Sequence, residues 1–110
     1  MEWTVLFSRL YVFLPLSFYS HTTGIETFIL GGGALCDDST VIKNEDDCKT
    51  AISDLILSGK FSKNRVRFKG EVSKPDQPFG CYTQGRSRSV YWNSNSQGIA
   101  HPGLYPICKG

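Results

Sequence analysis

The 110-residue chain has little of what catalytic and metal sites are built from: two histidines, one methionine and no closely spaced pair of cysteines. Structural zinc sites bring their thiolates in C-x2-4-C pairs, so the wide spacing of Cys36, Cys48, Cys81 and Cys108 argues against a metal. Nucleophilic hydrolysis needs a histidine base beside a serine or cysteine. His21 falls in a leader-like segment and His101 in a loop before Pro102, so no catalytic residue is assigned. The acids stand as neighbours, Asp37-Asp38 and Asp46-Asp47, without the sugar-sized gap between carboxyls of a glycosidase. A D-x-D-x-D-G calcium loop is absent. Gly31-Gly32-Gly33 lacks the lysine of a phosphate-binding loop and the spacing of a dinucleotide fingerprint, which removes the nucleotide cofactors. The expectation is a protein that is not an enzyme and holds no cofactor.

A strong charge imbalance and a long apolar run are also missing. Net charge +2 and a pI near 8.4 fall short of the basic excess of a nucleic-acid binder. A spanning helix needs about 20 apolar residues, whereas the apolar stretch Leu10 to Tyr19 is short and follows Arg9. That stretch reads as a signal peptide over residues 1–24, hence a secreted protein, although Glu2 comes early and Thr22 with Gly24 make an imperfect cleavage site. Ile25 to Leu35 reads as a glycine-rich, flexible lead-in, and residues 36–110 as one small domain.

What is present is an even set of cysteines, all after the leader. In a small exported domain these read as two disulfides. Three pairings are open; Cys36 with Cys108 and Cys48 with Cys81 is favoured, the first tying the domain's ends and the second pinning a helix to a sheet. The helix starts at Asn44, a preferred N-cap followed by Glu45, Asp46 and Asp47, and stops at Gly59. Cys48, Ala51, Ile52 and Leu55 recur at helical spacing on one face. Arg65 to Lys69 alternates basic and apolar residues as a half-buried strand does, with Val66 and Phe68 inward. Phe79 to Thr83 and Ser89 to Asn93 form a hairpin, and Ile107 to Lys109 a last extended piece. The fold class is therefore α+β: one helix packed on a small antiparallel sheet.

The order EDDCKTA, PFGCY, SVYWN, PICK resembles an uncharacterised small secreted domain with the signature C…C-x-x-A…P-x-G-C-Y…V-Y-[FW]-N…I-C-K, seen in predicted proteins of marine algae, protists and invertebrates. The likeness covers most of Cys36 to Lys109; Ile52 stands where a second alanine is common and Trp92 where phenylalanine is usual. It implies an extracellular location and a two-disulfide core, and it hands over no catalytic residue.

Strand alternation divides the aromatics. Val90 and Trp92 share the core face, which leaves Tyr82, Tyr91 and Asn93 as outward candidates for sugar binding, with the turn residues Arg86 and Arg88 beside them. Where the turn arginines adjoin Arg65, Arg67 and Lys69, they would form a basic patch suited to sulfated or uronic-acid glycans, phosphate head groups or bacterial surfaces. The expected function is a recognition module for an extracellular glycan or protein. The alternatives are a cationic defence effector acting on microbial surfaces and a structural matrix component.

Overall fold

The computed structural model describes residues 26–85 and 88–110; residues 1–25, where the sequence suggests a leader, and Arg86 with Ser87 lie outside them. In chain order the elements are β1 (Thr27–Ile29), α1 (Glu45–Leu57), β2 (Arg67–Val72), β3 (Gly80–Gln84), β4 (Ser89–Asn93) and β5 (Leu104–Lys109).

Helix α1 forms where its end signals are strongest. The Asn44 side chain accepts from the Asp47 N–H at 2.8 Å, and three acids occupy the first turn, where the helix dipole favours them. At the other end Gly59, at φ +84°, donates to Ile56 O while Lys60 donates to Leu55 O. This is a Schellman turn, and it requires the left-handed conformation that glycine adopts without steric penalty. Between the caps Cys48, Ala51, Ile52 and Leu55 are buried as their spacing predicts. They pack on Ile42, Phe61, Val66, Val90 and Ile107, with Phe68 and Trp92 partly covered at the margin.

The five strands make one sheet in the order β1-β5-β3-β4-β2. The α+β class and the placing of one helix on the sheet follow the sequence reading, but the sheet is mixed. Strands β1/β5, β5/β3 and β3/β4 pair antiparallel, whereas β2 runs parallel to β4. The parallel pair arises because residues 73–79 carry the chain from the end of β2 across the end of β4 to reach β3 on its far side. A second difference lies in the lead-in: Thr27–Ile29 is not a flexible tether but edge strand β1, paired with Ile107–Lys109 of β5.

Both favoured disulfides are present. Cys36–Cys108 spans a Cα–Cα distance of 5.7 Å and Cys48–Cys81 one of 5.4 Å. The first joins the segment after β1 to the last strand, and the second joins the helix to the central strand. Gly80, immediately before Cys81, sits at φ +98°, and a Cβ there would come within 2.8 Å of Val41 and 3.0 Å of Ile42 O. The glycine of PFGCY is thus set by the close approach of the strand to residues 41–42.

Replacing Cys48 and Cys81 together by alanine is expected to lower the unfolding free energy by about 3.5 to 4 kcal/mol, from the entropy of closing a loop of that length. Urea denaturation of the oxidised pair-deleted protein checks this. A loss below about 1 kcal/mol would mean that packing alone holds the helix on the sheet.

Candidate functional site

The hairpin residues singled out in the sequence separate onto two faces of the sheet. Cys81 points to the helix, so Thr83, Val90 and Trp92 share its face by alternation, and Tyr82, Gln84, Tyr91 and Asn93 belong to the opposite one. Trp92 packs beside Cys81 and donates its indole N–H to Ile42 O at 3.2 Å, a structural role in keeping with its core-side position.

On the far face Tyr82 and Tyr91 are cross-strand partners whose rings stack at 5.5 Å between centroids, 23° from parallel. They floor a shallow cleft of about 190 Å³ whose rim carries Val72, Lys74, Gln77, Gln84 and Leu104. The Tyr82 hydroxyl donates to Gln77 Oε1, which ties the 73–79 loop down over the ring. Burial, then the neighbouring Tyr91 and the charge of Asp76, push the Tyr82 hydroxyl up to about 12. Tyr91 is only half-buried. Of the two tyrosines it is the one that offers a ring face to an incoming ligand.

Asn93 proves to be no outward ligand group. It is fully buried: its Oδ1 accepts from Lys74 N at 2.9 Å and Asn95 N at 3.2 Å. Its Nδ2 donates to Lys74 O, Gln77 O and Pro78 O. Every polar valence is spent on the loop that crosses the end of β4. The sequence placed Asn93 on the correct face, but the loop covers that face.

Arg88 faces a different surface. It lines a groove of about 510 Å³ together with Lys60 and Arg65, on the helix side of the sheet beyond the helix C-terminus. Arg65 and Arg88 therefore share a surface, which is part of the patch that the sequence reading drew over Arg65, Arg67, Lys69, Arg86 and Arg88; Lys69 does not line this groove. Arg67 instead folds back, its Nη1 donating to Val66 O and Asn64 O. Arg86 lies outside the described residues. Lys60, Thr83, Gln77 and Gln84 were not picked out in the sequence. Only Thr83 carried a local signal, since it stands two residues after Cys81 and so on the buried face.

His101 and Asp47, both weighed for catalysis, are engaged structurally, as is Asp54 on the helix. His101 Nδ1 accepts from Gly103 N at 3.0 Å within a turn. Asp47 accepts from Lys109 Nζ at 3.2 Å, and Asp54 from the Thr27 hydroxyl. Among the described residues no group of three or more histidine, cysteine, aspartate or glutamate side chains is placed to hold a metal. Among those residues, too, no helix is long and apolar enough to cross a membrane. No protein-family model matches the chain, and neither a curated protein nor a solved structure does.

Replacing Asn93 by alanine is expected to cost at least about 3 kcal/mol in urea unfolding, because several buried backbone groups lose their partner at once. Tyr82 supplies a pH test. Its folded value near 12 lies above the ordinary 10, so its contribution is complete below pH 10 and is lost as pH rises toward 12. Thermal melts of the wild type should fall more steeply across that window than those of Tyr82→Phe. Parallel curves would contradict the assignment.

Proposed function

We propose that the protein is a secreted, non-enzymatic recognition module that binds an extracellular glycan in the cleft over the Tyr82–Tyr91 stack. The half-buried Tyr91 ring carries this reading: an aromatic face on a rigid strand, backed by a second ring and surrounded by an ammonium group and side-chain amides. Sugars are held in such settings by the apolar face of the ring against an aromatic plane and by polar side chains on the hydroxyls. The cleft is smaller than the roughly 300 to 1,000 Å³ of an enclosing ligand pocket. It suits contact with one ring of a longer chain rather than engulfment of a small molecule.

Support for an oxidising, extracellular setting comes from the two disulfides, which use all four cysteines, and from the apolar stretch behind Arg9 at the N-terminus. In a domain this small, cross-links worth several kcal/mol rival the whole net stability a core supplies, which makes a reducing compartment unfavourable for the fold.

The test is a glycan array probed with the oxidised protein and with Tyr91→Ala. Expected is a set of neutral glycans bound by the wild type and lost in the variant, with circular dichroism showing that the variant keeps its fold although a half-buried ring stacked on Tyr82 is removed. Binding that persists in Tyr91→Ala would place the glycan elsewhere, and an array with no bound glycan would remove the reading.

A further inference from the structure

The groove on the helix side contains a feature the fold does not explain. Thr83 is 4% exposed, and its Oγ1 is a buried polar atom with no hydrogen-bond partner. Buried hydroxyls are nearly always paired, and one left alone is destabilising. Valine would fill the same volume on a strand without that cost.

Thr83 stands in the wall of a groove whose described charges are all of one sign. Lys60, Arg65 and Arg88 converge on it. None of the three makes an ion pair or a side-chain hydrogen bond among the described residues. At the helix C-terminus nearby the carbonyls of Asp54, Leu55 and Ile56 are taken up by the N–H groups of Ser58, Gly59, Lys60 and Phe61. Arg88 is also the described non-glycine residue with positive φ, at +62°, where asparagine or glycine is more comfortable. Its presence there is a second departure from what the backbone alone would select.

We propose that this groove is a binding site for a sulfate or phosphate monoester. Two guanidinium forks each match an edge of a tetrahedral oxyanion, the Lys60 ammonium adds charge, and the Thr83 hydroxyl donates to a remaining oxygen. A carboxylate has two oxygens and would leave part of this donor set unused. Tyr105, which is exposed, stands in the wall of the groove beside the buried Phe61 and presents apolar surface to the carbon skeleton that carries the ester. The site lies on the opposite face of the sheet from the Tyr91 cleft and does not depend on the glycan reading made for that cleft.

The experiment is titration of the full oxidised protein with glucose 6-sulfate, glucose 6-phosphate, inorganic sulfate and glucose, followed by amide chemical shifts and calorimetry. Shifts centred on Thr83 and Arg88 are expected with one or both esters, with inorganic sulfate weaker and glucose inert at this site; the tighter ester identifies the source. Arg65→Gln and Arg88→Asn should each weaken binding about tenfold, the loss of a charge-assisted partner. Asparagine is chosen at position 88 because it tolerates the left-handed backbone, so this variant should melt no lower than the wild type. Thr83→Val should lose affinity about threefold or more while its melting temperature stays level or rises, a combination that a purely structural threonine would not give. Lys43→Gln, a cation outside the groove, should bind as the wild type does. The proposal is overturned if neither ester binds, if binding survives Arg65→Gln and Arg88→Asn together, or if inorganic sulfate binds as tightly as the esters.

Discussion

The Cys48–Cys81 bridge is the constraint from which the rest of the molecule can be read. It fixes the first half of the only described helix to the central strand of a five-stranded sheet, with both sulfurs buried. Once Cys81 is committed to the helix side, the pleat assigns every neighbour. Thr83, Val90 and Trp92 must face the helix, and Tyr82, Gln84, Tyr91 and Asn93 must face away. The helix is steadied at its flank by the Lys109–Asp47 ion pair and the Thr27–Asp54 hydrogen bond. These exposed or half-exposed contacts contribute little each; the bridge and the apolar stripe of α1 set the geometry they decorate.

Asn93 solves the problem that the strand order creates. A chain that leaves β2 and enters β3 on the far side of β4 must pass over the end of β4 with its backbone polar groups partly out of water. Such groups need partners, and one asparagine supplies donors and acceptors to Lys74, Gln77, Pro78 and Asn95 together. Tyr82 adds a second tie through Gln77. The parallel pairing of β2 with β4 is thus bound up with a single buried amide, and the cleft above Tyr91 owes one of its walls to the loop that amide holds.

How much of this was legible in the sequence follows from the range of each interaction. The helix, its caps and its buried stripe were readable because Asn44, Gly59 and the Cys48-Ala51-Ile52-Leu55 spacing act over one or two turns. The inward assignment of Val90 and Trp92 was readable because alternation is local, whereas Val66 is buried from the turn before β2, which begins at Arg67 and not at Arg65 as the sequence pattern suggested. Strand β1 was hidden: its three residues gain their identity only from β5, nearly the whole domain away in sequence. The mixed sheet was hidden for the same reason, since nothing in Arg67–Val72 says whether its neighbour runs with it or against it. At the candidate sites, alternation gave the face of Asn93 but could not foresee the loop laid over it. Arg88 and Arg65 were both in view; their convergence with Lys60 needed three separate loops and strands to be brought to one corner.

That corner is a consequence of proportions. Five strands about 4.8 Å apart make a face near 20 Å wide, while one helix with its side chains covers about 10 Å of it. A single helix pinned at the centre must leave part of its own face uncovered. Over β1 and β5 the gap is narrowed by Ile29 packing at the core margin, and over β2 by Phe68, with Lys49 placed over its ring. At the end of β3 and the start of β4, beyond the helix C-terminus, a groove stays open between Phe61 and Tyr105. There the sequence puts a threonine whose hydroxyl has no partner, and cations that have none among the described residues. Local choices elsewhere in the domain agree with the fold, from the N-cap to the glycine of PFGCY. A natural sequence breaks such rules chiefly where another requirement outranks stability. The unfilled corner beside Thr83 is where this protein breaks them, and the charges gathered around it give that requirement its sign.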